Sequence, residues 1–365
     1  MNKISFILTL LIVNGLFASA QTRPKTKNLV IVTLDGLRWQ EVFRGADSVL
    51  ANLKEYNDNQ EGIKRRFLAT SPLERRKMLL PFFWTTLVQN GQIYGNRDLG
   101  NNAEVANPYK FSYPGYSELF TGFPDPLVNS NDKNYNPNTN VLEYLNKQKG
   151  FEGKVAAFTS WDVFPWILND KRSGILVNSG LTNLSADNIS DRLKLLNELQ
   201  HQSPGFVSEE IRLDAITYQF GKQYLRDYKP RVLFIGFDET DDMAHVGNYK
   251  FYLQQAHKTD GMLADLWNYL QSDPFYKDQT TLLITSDHGR GEVPLDSWKD
   301  HGLDVRGAEQ VWLAVIGPDT PARGEIKTQT TIYHKQVAQT LAGLLGFNFK
   351  ANAGHEVGEA VKSMR

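Results

Sequence analysis

Five short apolar runs recur along the chain, and each has the length of a single strand. The runs are Leu29–Leu34, Val155–Thr159, Val232–Phe237, Thr281–Thr285 and Val311–Ile316. Near-continuous apolar runs of this kind are typical of strands that are covered on both faces, as in a parallel sheet. The pattern therefore predicts a buried and mostly parallel central sheet.

Helical patterns lie between these runs, at Asn140–Lys149, Asp187–Gln200, Ser208–Asp227, Tyr249–Gln271 and Tyr333–Leu345. Alternation of strands and helices over this length predicts an α/β fold, a three-layer sandwich with a mostly parallel central sheet. The polar insertion near residues 47–76 is expected to be an exposed excursion, and the Asn-rich stretch 129–140 is expected to be a loop. No linker divides the remainder, so residues 21–365 are expected to form a single domain.

Residues 1–20 have the pattern of a secretory signal peptide. Lys3 precedes an apolar stretch, and Ala18-Ser19-Ala20 has the small-residue spacing of a cleavage site. The alternative is a membrane anchor, although the apolar stretch is shorter than the roughly 20 residues that span a bilayer. We therefore expect export to the periplasm or cell surface through a cleaved signal, with no membrane span in the mature chain.

The composition narrows the chemistry that is open to this chain. Among 365 residues, 40 Lys+Arg stand against 41 Asp+Glu, a balance that excludes nucleic-acid polymer binding through bulk positive charge. The chain has no Cys, which excludes disulfides, zinc fingers and thiol nucleophiles. Any site for a transition metal must therefore use His and carboxylate groups, and the chain has 7 His.

Polar clusters follow three of the predicted strands directly, at Asp35, at Asp241 with His245, and at Asp287 with His288, and a short loop then presents His301. Ligand sites in open α/β sheets form at the carboxyl ends of strands. Taken singly, each residue also fits an ordinary role as a helix cap or a turn residue. Their convergence at several strand ends is more specific than any one motif.

Two cation sites follow from these residue types. Asp35, Asp287 and His288 supply one set of ligands, and Asp241, His245 and His301 supply a second. Mixed nitrogen and oxygen ligands without thiolates suit two divalent ions, Zn²⁺ first and Mn²⁺ as the alternative. Two such ions roughly 4 Å apart would clamp an in-line displacement at phosphorus.

Such a displacement needs a nucleophile, and Ser112 is the candidate. It precedes Tyr-Pro-Gly, which predicts a tight turn, and a helix is predicted to begin at Ser117. Free backbone N–H groups at a helix N-terminus favour a bound phosphate, and metal coordination would activate the hydroxyl. The alternative is that Ser112 acts only as an N-cap.

These stretches resemble the alkaline phosphatase superfamily, and most closely its phosphodiesterase and nucleotide pyrophosphatase branch. The matching pieces, in the family's order, are Leu34-Asp35-Gly36, Ser112-Tyr-Pro-Gly with Thr121-Gly122, Asp241-x-x-x-His245, Ser286-Asp287-His288-Gly289 and His301-Gly302. The resemblance implies that Asp35, Ser112, Asp287 and His288 hold one metal ion, and that Asp241, His245 and His301 hold the other. It also implies a covalent phospho-serine on Ser112 that a metal-bound water hydrolyses.

The sequence departs from that branch at several positions. Its relatives usually have a Thr nucleophile, Asn where this chain has Gly115, and Gly where it has Ala244. Monoesterase relatives carry cations at the segment that here reads Ser160–Trp166. Loss of positive charge weakens binding of a dianionic monoester more than of a monoanionic diester, which favours phosphodiesters or phosphonates as substrates. Aromatic residues of this segment either stack on substrate or pack in the core.

Three further residues are candidates for substrate binding. Asn131 is the best match for a relative's Asn that contacts a phosphoryl oxygen. Arg38 and Arg290 lie next to ligand motifs, where each either contacts phosphate or pairs with a nearby carboxylate.

Several alternative functions remain open at this point. One is a phosphomonoesterase or a phosphoglycerate-mutase-like transferase of the same superfamily. Another is a sulfatase, although Tyr116 stands where the sulfatase motif needs Arg. A different class is a non-catalytic, metal-dependent surface binding protein. The substrate is expected to be a small phosphoester, and the oligomeric state is left open.

Overall fold

The computed structural model describes residues 24–185, 189–203, 205 and 207–364, so the predicted signal peptide at residues 1–20 lies outside the described residues. The strands are β1 Asn28–Leu34, β2 Gly91–Tyr94, β3 Asn101–Glu104, β4 Val155–Thr159, β5 Leu176–Ser179, β6 Val232–Phe237, β7 Thr280–Thr285, β8 Gln310–Val311, β9 Leu313–Ile316, β10 Gly324–Glu325 and β11 Thr330–Tyr333.

The helices follow the same numbering along the chain. They are α1 Trp39–Arg44, α2 Ser48–Asn52, α3 Gln60–Phe67, α4 Pro72–Leu79, α5 Val88–Asn90, α6 Ser112–Thr121, α7 Val141–Asn146, α8 Phe164–Ile167, α9 Asp170–Ser173, α10 Asp191–Gln202, α11 Asp214–Tyr228, α12 Glu239–His245, α13 Tyr249–Ser272 and α14 Val337–Leu344. No helix in the described part of the chain is long and apolar enough to cross a membrane.

An eight-stranded sheet forms the centre of the protein, in the order β10-β2-β9-β7-β1-β6-β4-β5. Only β9 runs antiparallel to its neighbours, so the expected mostly parallel sheet is confirmed. A smaller sheet has the order β11-β3-β8. The predicted strand 311–316 is divided between the two sheets at Trp312, whose indole donates to the carbonyl of Leu37 at 2.8 Å.

Helices cover both faces of the large sheet, which gives the expected three layers. Along β1, Val30 and Val32 enter one buried cluster with α1, α3, α11 and α13. Leu29 and Ile31 enter a second cluster on the other face with α6, α7 and α14. Alternate side chains of one strand therefore supply two cores, which explains the uninterrupted apolar runs.

Two expectations about the helices need correction. Residues 47–76 are not simply an exposed excursion, because they contain α2, α3 and most of α4, and Leu50, Ile63 and Phe67 are buried. Charged residues on the outer faces of these helices hide that pattern in the sequence. In addition, α11 begins at Asp214 and not at residue 208, whereas the predicted loop at 129–140 has no helix or strand.

Candidate metal centre and nucleophile

The carboxyl ends of three neighbouring strands meet at one edge of the large sheet. β1 lies between β6 and β7 and pairs in parallel with both. Asp35 follows β1, α12 with Asp241 follows β6, and Asp287 with His288 follows β7. The strand order therefore brings together segments that are far apart in the sequence.

Carboxylate oxygens surround Nε2 of His288. This nitrogen lies 3.3 Å from Asp35 Oδ1, 3.5 Å from Asp287 Oδ2 and 3.7 Å from Asp241 Oδ1. The other ring nitrogen, Nδ1, is 2.9 Å from the backbone oxygen of Gly289, which orients the ring. Asp35, Asp287 and His288 offer ligand atoms within 4.8 Å of one another.

This group fits a divalent cation. Asp35 Oδ1 and Asp287 Oδ2 are buried and make no hydrogen bond, which is costly unless a cation lies beside them. Burial raises the pKa of both carboxyl groups, that of Asp287 well above its usual value. Burial lowers the pKa of His288, but Asp287 and Asp35 outweigh it and raise that pKa to about 9. A bound cation would offset this concentration of negative charge.

A second group lies beside the first, on its solvent side. His245 Nε2 is 3.0 Å from Asp241 Oδ2 and 3.0 Å from His301 Nε2. Asp241 and His245 are one turn apart on α12, so their side chains face the same direction. His301 stacks on His288 with ring centroids 3.9 Å apart, which joins the two groups. Burial lowers the pKa of His301 well below its usual value and keeps the ring in the neutral form that binds metals.

Both candidate arginines pair with carboxylates. Arg290 is buried, its Nη2 contacts Asp241 Oδ1, and its Nε donates to the carbonyl of Gly36 at 3.2 Å. Arg38 is buried as well and binds Glu41 through Nε at 2.8 Å and through Nη2. Of the two roles considered for each, the structure therefore shows the ion pair.

Ser112 lies beside the first group, because its Oγ is 3.4 Å from His288 Nε2. It is the first residue of α6, so the predicted tight turn and the predicted helix start at Ser117 are wrong. Tyr-Pro-Gly forms the first helical turn, where a proline without an N–H group leaves no donor unsatisfied. The hydroxyl of Ser112 therefore lies at a helix N-terminus and faces the candidate metal-ligand group.

Two residues of α6 contact the first candidate metal-ligand group. A Cβ atom on Gly115 would lie 2.5 Å from the carbonyl oxygen of Asp287, so only glycine allows this close approach. One residue later, the phenol of Tyr116 donates to Asp35 Oδ2 at 3.0 Å. Sequence reasoning missed Tyr116, although its spacing of four residues from Ser112 places both on one helix face.

Asn131 lies next to the candidate nucleophile. Its Oδ1 accepts from the backbone N–H of Tyr113 at 2.9 Å, and Nδ2 makes no hydrogen bond within the described residues. The amide is therefore oriented by the residue after Ser112, with its donor end free.

Sequence reasoning also missed Asp214, the first residue of α11. Its buried carboxylate accepts from the backbone N–H groups of Asp238 at 2.9 Å and Glu239 at 3.1 Å, at the start of α12. It also accepts from Ser160 Oγ at 2.6 Å. Asp214 therefore stabilises the N-terminus of the helix that carries Asp241 and His245. No local pattern around residue 214 indicates this role.

Comparisons with known proteins agree with this architecture. The family model described as Type I phosphodiesterase / nucleotide pyrophosphatase matches residues 64–346, a range that begins after Asp35. Among proteins with curated descriptions, none matches this sequence.

Several solved structures share the fold. Alkaline phosphatase PafA is 11% identical, with a TM-score of 0.59 over 94% of this chain and 99% of its own. The lipoteichoic acid synthase LtaP from Listeria monocytogenes is 13% identical, with a TM-score of 0.58 over 93% of this chain and 75% of its own. The phosphonate monoester hydrolase of Agrobacterium radiobacter is 14% identical, with a TM-score of 0.54 over 89% and 74%.

Proposed function

We propose that this chain, which belongs to the type I phosphodiesterase / nucleotide pyrophosphatase family within the alkaline phosphatase superfamily, is a two-metal phosphoester hydrolase with Ser112 as its nucleophile. The observation that carries the proposal is the 3.4 Å distance between Ser112 Oγ and His288 Nε2. That nitrogen is also surrounded by the carboxylates of Asp35, Asp241 and Asp287. A hydroxyl, two histidine-containing ligand groups and a helix N-terminus therefore meet at one place.

The residues divide into two ligand sets. Asp35, Asp287 and His288 would hold one cation next to Ser112, and Asp241, His245 and His301 would hold the other. Bound Zn²⁺ or Mn²⁺ would supply Lewis acidity and lower the pKa of the serine hydroxyl. Arg290 keeps Asp241 in place, and Asp214 and Tyr116 orient α12 and Asp35 respectively.

The protein's own groups account for the binding and transfer of a phosphoryl group. Ser112 Oγ would form a bond to phosphorus as its proton leaves and the bond to the departing alcohol breaks, and that alcohol takes up a proton. Water would then attack phosphorus, the Oγ–P bond would break, and the serine would regain its proton. The backbone N–H of Ser112 makes no hydrogen bond within the described residues and lies at the start of α6, where it favours a phosphoryl oxygen. The free Nδ2 of Asn131 supplies a second donor of the same kind.

We favour phosphodiesters or phosphonates as substrates, because Ser160–Trp166 contains no cation and both nearby arginines are buried in ion pairs. A phosphomonoester carries a second negative charge that these arrangements do not neutralise. The solved relative from Agrobacterium radiobacter is named a phosphonate monoester hydrolase. We also propose export through residues 1–20, which N-terminal sequencing of the protein from cell fractions tests.

A panel of esters with metal control tests the proposed function. The metal-free protein is reconstituted with Zn²⁺ or Mn²⁺ and offered bis-p-nitrophenyl phosphate, p-nitrophenyl phosphate and a p-nitrophenyl phosphonate. We expect hydrolysis of the diester or the phosphonate, loss of activity on chelation, and a loss of about a thousandfold or more in Ser112→Ala.

Two outcomes would contradict the proposal. One is a fully metallated, folded protein without turnover on any of these esters, which would favour a binding protein. The other is unchanged turnover in Ser112→Ala with an unchanged thermal midpoint, which would assign the nucleophile elsewhere. Elemental analysis of the purified protein identifies the metals that it holds.

A further inference from the structure

A loop at residues 129–136 lies against the first turn of α6. Asn131 Oδ1 accepts from the backbone N–H of Tyr113, and the phenol of Tyr113 donates to the carbonyl of Asn134. Tyr113 directly follows Ser112, so two hydrogen bonds fix this loop beside the candidate nucleophile. Lys133 lies between the two anchoring residues of the loop.

The other side of the loop packs on the aromatic segment Ser160–Trp166. The backbone N–H of Asn136 donates to the carbonyl of Trp166 at 3.0 Å. Lys133 Nζ lies 5.4 Å from the centre of the Trp166 ring, and Phe164 packs against Tyr116 with ring centroids 4.6 Å apart. The aromatic segment therefore holds the loop close to α6.

Lys133 on this loop and Lys110 before α6 are both paired with acidic side chains. Lys133 Nζ binds Asp162 Oδ2 at 2.5 Å, with the lysine side chain 44% exposed and the aspartate 23% exposed. Lys110, two residues before Ser112, pairs with Glu309 at 3.4 Å. Both lysines are therefore paired with an acidic side chain, and the side chain of Lys133 remains partly exposed to solvent.

We propose that Asp162 determines substrate specificity by pairing with Lys133 and so withholding positive charge from the phosphoryl group. A monoanionic diester or phosphonate monoester can bind beside the neutral Asp162–Lys133 pair. A dianionic phosphomonoester binds less well there, because no neighbouring cation neutralises its second charge. Loss of the Asp162 charge would leave Lys133 free to attract the second charge. This inference rests on the proposed function and concerns the substrate class of the same site.

The test compares Asp162→Asn with Asp191→Asn. Both substitutions remove one negative charge that pairs with a lysine, but Asp191 is 97% exposed and lies at the start of α10, outside this loop and the aromatic segment. We expect Asp162→Asn to raise the ratio of kcat/KM on p-nitrophenyl phosphate to kcat/KM on bis-p-nitrophenyl phosphate by about threefold to fivefold, the size expected for a partly exposed charge. Asp191→Asn should leave the ratio unchanged.

Two more variants separate charge from structure. Lys133→Met alone leaves the carboxylate of Asp162 unpaired, so the ratio should fall rather than rise. Lys133→Met combined with Asp162→Asn should reverse the gain, because no freed cation remains. Asp162→Ser serves as a second substitution if Asp162→Asn lowers the thermal midpoint. An unchanged ratio in both Asp162 variants, or a gain that persists in the double variant, would overturn the inference.

A binding measurement keeps this inference separate from the proposed function. Calorimetric titration of the zinc-loaded protein with inorganic phosphate at pH 8 follows a dianion without any turnover. We expect about threefold to fivefold tighter binding in Asp162→Asn than in the unsubstituted protein. If no ester is hydrolysed, the proposed function fails, and the phosphate titration still decides whether Asp162 masks Lys133. Equal phosphate affinity in the two proteins would reject the masking.

Discussion

The hydroxyl of Tyr116 donates to Oδ2 of Asp35 at 3.0 Å, across 81 residues of sequence. Tyr116 is fully buried and accepts in turn from Thr33 Oγ1 at 3.3 Å. Ser112 lies one turn before it on α6, so the same helix carries the candidate nucleophile and orients a candidate metal ligand. The position of the serine is thereby coupled to the position of the carboxylate.

Tyr116→Phe tests this coupling. Without the phenol, Asp35 Oδ2 loses its donor, and we expect zinc affinity and kcat/KM to fall about tenfold, as is usual for residues that orient metal ligands. Tyr94→Phe is the matched control, because it also removes a buried hydroxyl that bonds Gln92 and Ser363, far from the site. Equal zinc affinities in the two variants, measured by competition with a chelating dye, would argue against the coupling.

Gly115→Ala tests the close approach of α6 to the backbone of Asp287. The new Cβ atom meets the backbone oxygen of Asp287 at 2.5 Å, and backbone does not move aside as a side chain does. We expect a loss of about 1–3 kcal/mol in the free energy of unfolding and reduced activity. Gly261→Ala on α13 is the control, because its Cβ meets nothing within 4 Å; it should gain about 0.5–1 kcal/mol from helix propensity. Denaturant titrations of both variants measure the change in the free energy of unfolding. A Gly115→Ala variant with unchanged stability and activity would contradict the tight fit.

Asp287→Asn should affect the metal-free and zinc-loaded protein in opposite directions. In the metal-free protein, burial and then the carboxylates of Asp35 and Asp241 raise the pKa of Asp287 well above its usual value, although His288 opposes the shift. An uncharged amide avoids this cost and should raise the thermal midpoint. With zinc present, the variant lacks a ligand and should lose most of the midpoint rise that zinc gives the unsubstituted protein. Thermal scans in chelator and in excess zinc measure both effects. A variant that keeps the full zinc shift would exclude Asp287 as a ligand.

Asp214→Asn should selectively weaken metal binding at the second candidate site, that of Asp241, His245 and His301. An amide accepts from only one of the two N–H groups that open α12, so the helix that carries Asp241 and His245 is less well fixed. We expect the weaker of two zinc-binding steps in calorimetry to lose about tenfold in affinity. Asp260→Asn is the control, since that buried carboxylate accepts from Phe82 and Phe83 N–H groups, away from the site. Both variants are expected to change stability, but only Asp214→Asn should change zinc binding.

The buried carboxyl group of Asp260 should make the stability of the fold depend on pH. Burial raises its pKa from 3.8 to about 7, so between these values the folded chain holds a proton that the unfolded chain has lost. The contribution of Asp260 to the free energy of unfolding is therefore fully present below pH 3.8. It is lost as the pH rises through 7, by at most about 1.4 kcal/mol per pH unit. Asp260→Asn does not titrate, so the stability of the unsubstituted protein relative to this variant should fall from pH 4.5 to 8. Urea unfolding of both proteins in chelator tests this, and a difference that is constant or grows with pH would refute it.

Much of the sheet could be predicted because local sequence carries its pattern. The runs at Leu29–Leu34 and Val232–Phe237 agree closely with β1 and β6, since strands buried on both faces need apolar residues at every position. Residues 47–76 were harder to interpret, because their short helices bury few apolar side chains beneath charged faces. The division of the run 311–316 into β8 and β9 at Trp312 could not be predicted, because a strand that passes from one sheet to another keeps its apolar residues.

By itself, the sequence determined the α/β class and a set of Asp and His residues that follow strands, together with Ser112 as a candidate nucleophile. These features are local: an apolar run predicts a strand, and parallel strands place their carboxyl ends at one edge. Only the tertiary structure decided that Arg290 binds Asp241, that Asp214 stabilises α12, and that Gly115 must lack a side chain. Each of these depends on a contact between chain segments that the strand order brings together, and no local spacing encodes such a contact.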